Sequence, residues 1–94
     1  MSLLLKDPDA MLDYSIDWGA EYLGDDLLTQ SSWTVVPDEP ADGVTIAGSQ
    51  FDSATSVVKA AGGVPGRIYR LVNQVITASG RTDSRSIVLR VERR

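Results

Sequence analysis

The residues of this chain best suited to chemistry are its carboxylates, which include two adjacent pairs, Asp25-Asp26 and Asp38-Glu39. Two carboxyl groups held about 5 to 9.5 Å apart across a cleft can hydrolyse a glycosidic bond. Adjacent residues of a strand, however, point to opposite sides, and a chain of 94 residues has little room for a substrate cleft. The acidic pairs therefore do not predict an active site, and we expect no enzymatic activity.

The composition removes the usual catalytic and metal-binding partners. The chain has no histidine and no cysteine, which excludes a nucleophile–histidine pair, a thiolate nucleophile, a disulfide framework and a Cys/His zinc site. Its glycine-rich segment, Gly62–Gly66, lacks the Lys-Ser/Thr that follows in a phosphate-binding loop and does not open a predicted helix. We expect no cofactor.

Calcium binding is one interpretation of the acidic loops. Asp7, Asp9 and Asp13, or Asp25 and Asp26, supply the kind of oxygen atoms that calcium prefers. Their spacing matches no EF-hand loop, and solvated loop acids explain them more simply. The sequence does not decide between these two interpretations.

Charge is divided unevenly along the chain, although its net value is only −4. Residues 1–52 carry eleven acidic side chains and one basic one, whereas residues 53–94 carry eight basic and two acidic ones. Three interpretations stay open: pairing between strands of one domain, head-to-tail complementarity between copies, and nucleic-acid binding. Nucleic-acid binding is the least favoured, because the overall balance is acidic and few aromatic residues lie among the arginines.

The elements that must position these residues are predicted to be strands. A closing hairpin occupies Gly66–Val91, where two runs with period-2 patterning are joined by a polar, glycine-bearing turn. Side chains of one parity line one side of a sheet. They are Tyr69, Leu71, Asn73, Val75 and Thr77 in the first run, and Ile87, Leu89 and Val91 in the second.

Earlier strands are predicted from the same alternation and from the turn residues between them. The segment Leu27–Val36 needs a bulge near Gln30–Ser32 if Leu28 and Trp33, which differ in parity, are both buried. The other predicted strands are Leu12–Trp18, Val44–Phe51 and Ala54–Ala60. Six or seven short antiparallel strands without a long helix predict one domain over residues 1–94, an all-β immunoglobulin-like β-sandwich.

Three aromatic residues are candidates for structural or interface roles. Tyr69, near the start of the penultimate strand, resembles a tyrosine corner whose hydroxyl caps the preceding connection; an ordinary buried tyrosine is the alternative. Trp18 and Trp33 are most simply core residues. An exposed tryptophan would instead indicate an interface anchor.

The N-terminal residues 1–9 are expected to form an extended arm. Leu3, Leu4 and Leu5 precede the turn signal Asp7-Pro8-Asp9, and their apolar run is too short for a signal peptide. The chain also lacks an apolar run of about 18 residues, so we expect no membrane span and a soluble protein made in the cytoplasm.

The order of several segments resembles that of small structural proteins of tailed bacteriophages, of the fibre–tail adaptor type. The segments are Lys6–Asp9, Leu12–Trp18, Leu23–Asp26, Ser31–Val35, Gly62-Gly63, Tyr69–Thr77 and Gly80–Val91. This resemblance implies an immunoglobulin-like virion component without enzymatic activity, which links the tail or connector to fibres or other appendages. It implies tail, connector or fibre subunits as partners, and it supplies no catalytic residues.

The resemblance is closest at Asp17-Trp18 and at Gly80–Asp83, which includes Arg81 and Asp83. We expect Asp17 to accept hydrogen bonds from Arg81 or Arg85, which would tie the first strand to the last hairpin. The loop Pro37–Gly43 departs from the usual pattern in being strongly acidic. Because loops often carry specificity, the partner could differ from that of relatives.

We expect several copies to assemble in a ring within the virion. The arm Leu3–Leu5 would add to the sheet edge of a neighbour, and Arg90, Arg93 and Arg94 would meet a neighbour's acidic loops. Two other functions stay open: a carbohydrate- or cell-surface-binding module with exposed aromatic residues, and an acidic phage-encoded inhibitor of a host protein.

Overall fold

Alternating apolar and polar side chains produce seven strands, which the computed structural model describes over residues 3–20, 22–37 and 43–93. The strands form two sheets, and no helix occurs in these ranges. Their bounds are β1 Leu3–Lys6, β2 Met11–Asp17, β3 Leu28–Val36, β4 Val44–Phe51, β5 Thr55–Gly62, β6 Ile68–Thr77 and β7 Thr82–Val91. The predicted all-β class and its two-layer construction are confirmed.

The four-stranded sheet has the order β1-β7-β6-β3, and the three-stranded sheet has the order β2-β5-β4. The placement of β3, β6 and β7 opposite β2, β4 and β5 is consistent with the strand division of the immunoglobulin fold. One pair departs from the antiparallel expectation, because β1 runs parallel to β7. The other pairs are antiparallel.

The closing hairpin places its side chains as the alternation predicts. In β6 the residues of the predicted inner parity are all buried, while in β7 Leu89 and Val91 are buried and Ile87 is half-buried. The inner side chains of β6 are Tyr69, Leu71, Asn73, Val75 and Thr77. The inner side chains of this hairpin therefore form one side of the hydrophobic core.

A bulge in β3 resolves the parity conflict between Leu28 and Trp33, both of which are buried. The register with β6 shifts between Leu28 and Gln30, close to the start of the predicted interval. A second register shift, between Ile46 and Gly48 of β4, was not predicted. Both bulges lie on strands at the edge of their sheets.

The turn after β5 requires glycine at two successive positions. Gly62 and Gly63 have φ angles of 76° and 117°, which L side chains rarely adopt. A Cβ atom on Gly63 would lie 2.6 Å from Cγ2 of Val91, and one on Gly62 would lie 2.8 Å from the carbonyl oxygen of Gly43. The turn is therefore packed directly against neighbouring chain segments.

The expected arm lies in the protein's own sheet as β1. Leu3 pairs with Val88, and the register continues to Lys6, which pairs with Val91. Lys6 is fully buried, and its Nζ donates hydrogen bonds to the carbonyl oxygens of Asp7 at 2.9 Å and Gly62 at 2.7 Å. Burial lowers the pKa of Lys6, while Asp7 and Asp9 act in the opposite direction. This strand therefore connects both layers within one molecule.

No helix in the described ranges has the length and apolar character needed to span a bilayer.

We expect Lys6→Ala to reduce the free energy of unfolding by about 1 to 3 kcal/mol, because the partly buried carbonyl of Gly62 loses its donor. Lys59→Ala is the matched control, since Lys59 is exposed on β5 and such surface changes stay within about 0.5 kcal/mol. Urea unfolding of the two variants measures the difference. Equal unfolding midpoints would contradict the structural role of Lys6.

Candidate interaction surfaces

A chain of buried and partly buried hydrogen bonds joins the two sheets through the interior. Nε1 of Trp18 donates to Oδ1 of Asn73 at 2.9 Å, and Nδ2 of Asn73 donates to Oγ of Ser31 at 2.9 Å. The hydroxyls of Ser31 and Ser56 lie 2.6 Å apart, and Nε1 of Trp33 donates to Oγ of Ser56 at 2.9 Å. Each such bond contributes about 0.5 to 1.5 kcal/mol to stability. We call these five residues the interior network.

Both tryptophans are therefore core residues. Trp18 is fully buried and Trp33 is 9% exposed, and the indole nitrogen of each has a partner inside the protein. Neither ring is available as a flat platform for a sugar or as an anchor for another protein.

Tyr69 makes the contact expected of a tyrosine corner. Its side chain is fully buried, and its hydroxyl accepts a hydrogen bond from the backbone N–H of Val64 at 3.0 Å. Val64 belongs to the connection that precedes β6. The hydroxyl thus holds this connection against the strand that follows it.

Asp26 is the centre of a second polar cluster, at the turn between β6 and β7. Its Oδ2 accepts hydrogen bonds from Nη2 of Arg81 at 3.0 Å and from the hydroxyl of Ser79 at 2.6 Å. Its Oδ1 accepts from the backbone N–H groups of Leu27 at 2.9 Å and Ser79 at 3.1 Å. Nη2 of Arg81 also donates to the carbonyl of Leu23 at 3.4 Å. The cluster fastens the loop before β3 to the closing hairpin.

These contacts favour the ionised carboxylate. The hydrogen bonds of Ser79 and Thr77, followed by those of Arg81 and Leu27, hold the pKa of Asp26 far below its ordinary value, against a smaller opposing effect of desolvation. A carboxyl group with a depressed pKa stabilises the fold above its unfolded pKa, and this stabilisation is lost as the pH falls through the folded value.

Two arginines stack on aromatic rings beside this cluster. The guanidinium carbon of Arg85 lies 4.6 Å from the ring centroid of Trp18 and 5.7 Å from that of Tyr22. That of Arg81 lies 4.5 Å from the Tyr22 centroid. The two rings meet edge to face, 5.3 Å apart. Both guanidinium groups are within the range of a cation–π interaction.

The expected bonds from Arg81 or Arg85 to Asp17 do not form among the described residues. Arg81 binds Asp26 and Arg85 lies over Trp18. Asp17 instead accepts a hydrogen bond from the backbone N–H of Gly19 at 3.0 Å, in the turn after β2. That prediction was wrong because Asp26 presents both carboxylate oxygens to Arg81 and to nearby backbone donors.

The remaining predicted residues lie near the surface. Arg90 pairs with Glu92 at 2.6 Å and Arg93 with Asp9 at 3.1 Å. Asp83 accepts from the N–H of Ser84 at 2.8 Å. Leu3, Leu4 and Leu5 are 51%, 37% and 47% exposed. Arg94 lies outside the described residues, as does most of the acidic loop, residues 38–42.

The described residues contain no group of three or more acids that could hold a metal ion. Two shallow concavities lie open on the outer sheet faces. One, of about 270 Å³, is lined by Asp13, Lys59 and neighbouring residues of β4 and β5. The other, of about 450 Å³, is lined by Arg70, Val72, Ser84, Arg85 and Ser86.

Sequence reasoning missed the structural roles of three residues, Asn73, Asp26 and Lys6. Asn73 could have been found, because it shares the parity of buried apolar residues in β6 and so had to satisfy its amide inside. The sequence gives weaker indications of the structural roles of Asp26 and Lys6. Each depends on residues more than 50 positions away, Arg81 and Gly62.

Comparison with protein families gives a match over residues 6–90 to the family described as podophage GP4 fiber-tail adaptor protein gp77. The chain belongs to this family. No curated protein matches it at a significant level. The resemblance drawn from the order of sequence segments is thus confirmed at the level of the family.

The adaptor match begins at Lys6, the buried end of β1, and ends at Arg90, one residue before the end of β7. It therefore covers β2 to β6 in full and all of β7 but its last residue, and it includes only the last residue of β1. Because the indoles, Tyr69, Asp26 and Arg81 are engaged inside the sandwich, the surfaces left for contacts with other molecules are the outer sheet faces, the edges and the loops.

We expect Asp26→Asn to lower Tm at pH 7, with Asp25→Asn as the control, since Asp25 is exposed in the same turn. The difference should shrink as the pH falls from about 4 toward 2, because the Asp26 carboxyl of the unfolded chain then takes up a proton while that of the folded protein stays ionised. Thermal unfolding followed by circular dichroism at several pH values measures it. A difference that is independent of pH would contradict the electrostatic assignment.

We also expect the intrinsic fluorescence of the folded protein to be blue-shifted and shielded from acrylamide, because both indoles are buried. Unfolding in urea provides the control for full exposure. Strong quenching in the folded state, or a spectral response to sugars, would contradict the assignment of Trp18 and Trp33 to the core.

Proposed function

We propose that this chain is a virion structural protein that links the tail, or the connector at its base, to fibres through protein–protein contacts. The observation that carries the proposal is the match to a fibre–tail adaptor family over residues 6–90. The fold supports it, because a β-sandwich whose interior is filled offers its outer faces and edges for docking.

We further propose that the adaptor acts without catalysis and in several copies arranged as a ring. The polar clusters support the first point, since their side chains are bonded to one another and to backbone groups. The partners would be tail, connector or fibre subunits, with no direct contact to nucleic acid or membrane. Synthesis in the host cytoplasm would precede incorporation into the particle.

The described residues support the two alternative functions less well than the adaptor function. A sugar-binding platform would need Trp18, Trp33 or Tyr69 at the surface, whereas all three are buried. An acidic inhibitor that mimics nucleic acid would need a continuous negative face. Among the described acids, however, Asp26 and Asp9 are paired with arginines.

Disruption of the gene in the phage tests the proposal. We expect particles with filled heads and tails but without fibres, and restoration of fibres when the wild-type chain is supplied in trans. Electron microscopy and adsorption to host cells provide the two measurements. Fibres attached normally to particles that lack this chain would refute the adaptor function.

A further inference from the structure

The outer face of the four-stranded sheet is a continuous surface defined by its register. Residues directly opposite one another on paired strands share a face. One row crosses all four strands as Leu3, Val88, Arg70 and Val36, and the next crosses three strands as Leu5, Arg90 and Ile68. We call these seven residues the apolar-basic patch.

The patch combines exposed apolar side chains with positive charge. Leu3, Leu5, Ile68 and Val36 are between 47% and 54% exposed. The rest of this outer face consists of uncharged residues: Thr82, Ser84, Ser86, Val72, Gln74, Ile76, Gln30, Ser32 and Thr34. The face of paired residues thus contains two arginines and no acid, in a chain whose net charge is −4.

Arg70 is the charge that lacks a partner on this face. Arg90 is paired with Glu92, but Arg70 forms no ion pair with any described residue. An exposed guanidinium between Val88 and Val36 is placed to receive a carboxylate from outside the domain.

A complementary surface lies on the other sheet, along β2. This strand is at the edge of its sheet, and its outward residues are Met11, Asp13, Ser15 and Asp17. Met11 is 59% exposed. Asp13 lies opposite Lys59, and the described residues contain no ion pair between the two. The strand therefore offers an apolar side chain and two acids, which are about 13 Å apart at ~3.3 Å per residue.

We propose that the apolar-basic patch of one copy binds the outward side of β2 of a second copy. This inference rests on the proposed multicopy adaptor function and names the surfaces that join its copies. The contact is heterologous, because two different surfaces of the same chain meet, and such contacts repeat around a ring when the rotation closes.

The uneven distribution of charge along the sequence favours a second copy of this chain as the partner that binds the apolar-basic patch. The acids of β2 come from residues 1–52 and the arginines of the patch from residues 53–94, and the fold places the two sets on the outer faces of opposite sheets. Each copy therefore carries the apolar-basic patch on one sheet and the acidic residues of β2 on the other, so that copies can join head to tail.

The face is also large enough. At about 4.8 Å between strands and ~3.3 Å per residue, four strands of four, nine, ten and ten residues cover roughly 500 Å² in projection. This is of the same order as the ~800 Å² per partner of a standard protein–protein interface.

Charge exchange in the purified full chain tests the proposal. We expect the wild type to self-associate with concentration in sedimentation, more weakly at 0.5 M salt, and Arg70→Glu or Asp13→Arg each to weaken association by about ten-fold or more. Mixing the two single variants should restore association, because each then offers the charge that the other requires. The double variant Arg70→Glu/Asp13→Arg should associate by itself for the same reason.

Asp25→Arg is the control, since it changes the net charge as Asp13→Arg does but lies in the turn before β3. Circular dichroism of every variant establishes folding. A wild type that stays monomeric, single variants that associate normally, or single defects that mixing does not correct would each overturn the proposal. If the proposal fails in this way but phage particles still lose their fibres when the gene is disrupted, the adaptor function is retained. Other surfaces of the chain would then make its contacts.

Discussion

The hydrogen-bonded interior network is the interaction on which the rest of this structure depends. Its five side chains come from β3, β5, β6 and the turn after β2, so it joins both sheets at the centre of the core. A purely apolar core could tolerate small shifts of one sheet against the other. Directional bonds between two indoles, one amide and two hydroxyls permit one alignment, and this alignment fixes where each outer face lies.

The charged residues form two groups at different positions: some stabilise the sandwich and others face outward. Arg81 and Arg85 lie at the end of the sandwich where Asp26, Trp18 and Tyr22 gather, and they are engaged within the domain. Arg70 lies near the opposite end of β6 and forms no ion pair with any residue that the structure describes. A small domain without disulfides must be stabilised internally, and the charges that are not used for this purpose can serve the contacts between copies that we propose.

Much of the fold could be predicted from alternation alone, because the inner parity of β6 and β7 and the parity conflict in β3 are local properties of the sequence. The fate of Leu3–Lys6 could not be predicted in this way. An apolar extended segment pairs equally well with its own sheet or with that of a neighbour, and the choice depends on the distant carbonyl of Gly62 that receives the Lys6 ammonium. The same limit explains why Asp17 was preferred to Asp26 as the partner of Arg81.

The parallel pairing of β1 with β7 has a mechanical consequence. Leu3 lies beside Val88 and Lys6 beside Val91, so tension applied to the two ends of the chain pulls these strands past each other along their length. All the backbone bonds between them are then loaded together in shear, whereas an antiparallel terminal pair would open one bond at a time. In the proposed link between a tail and a fibre, this geometry would let the pair of terminal strands resist a pulling force with all of its hydrogen bonds at once.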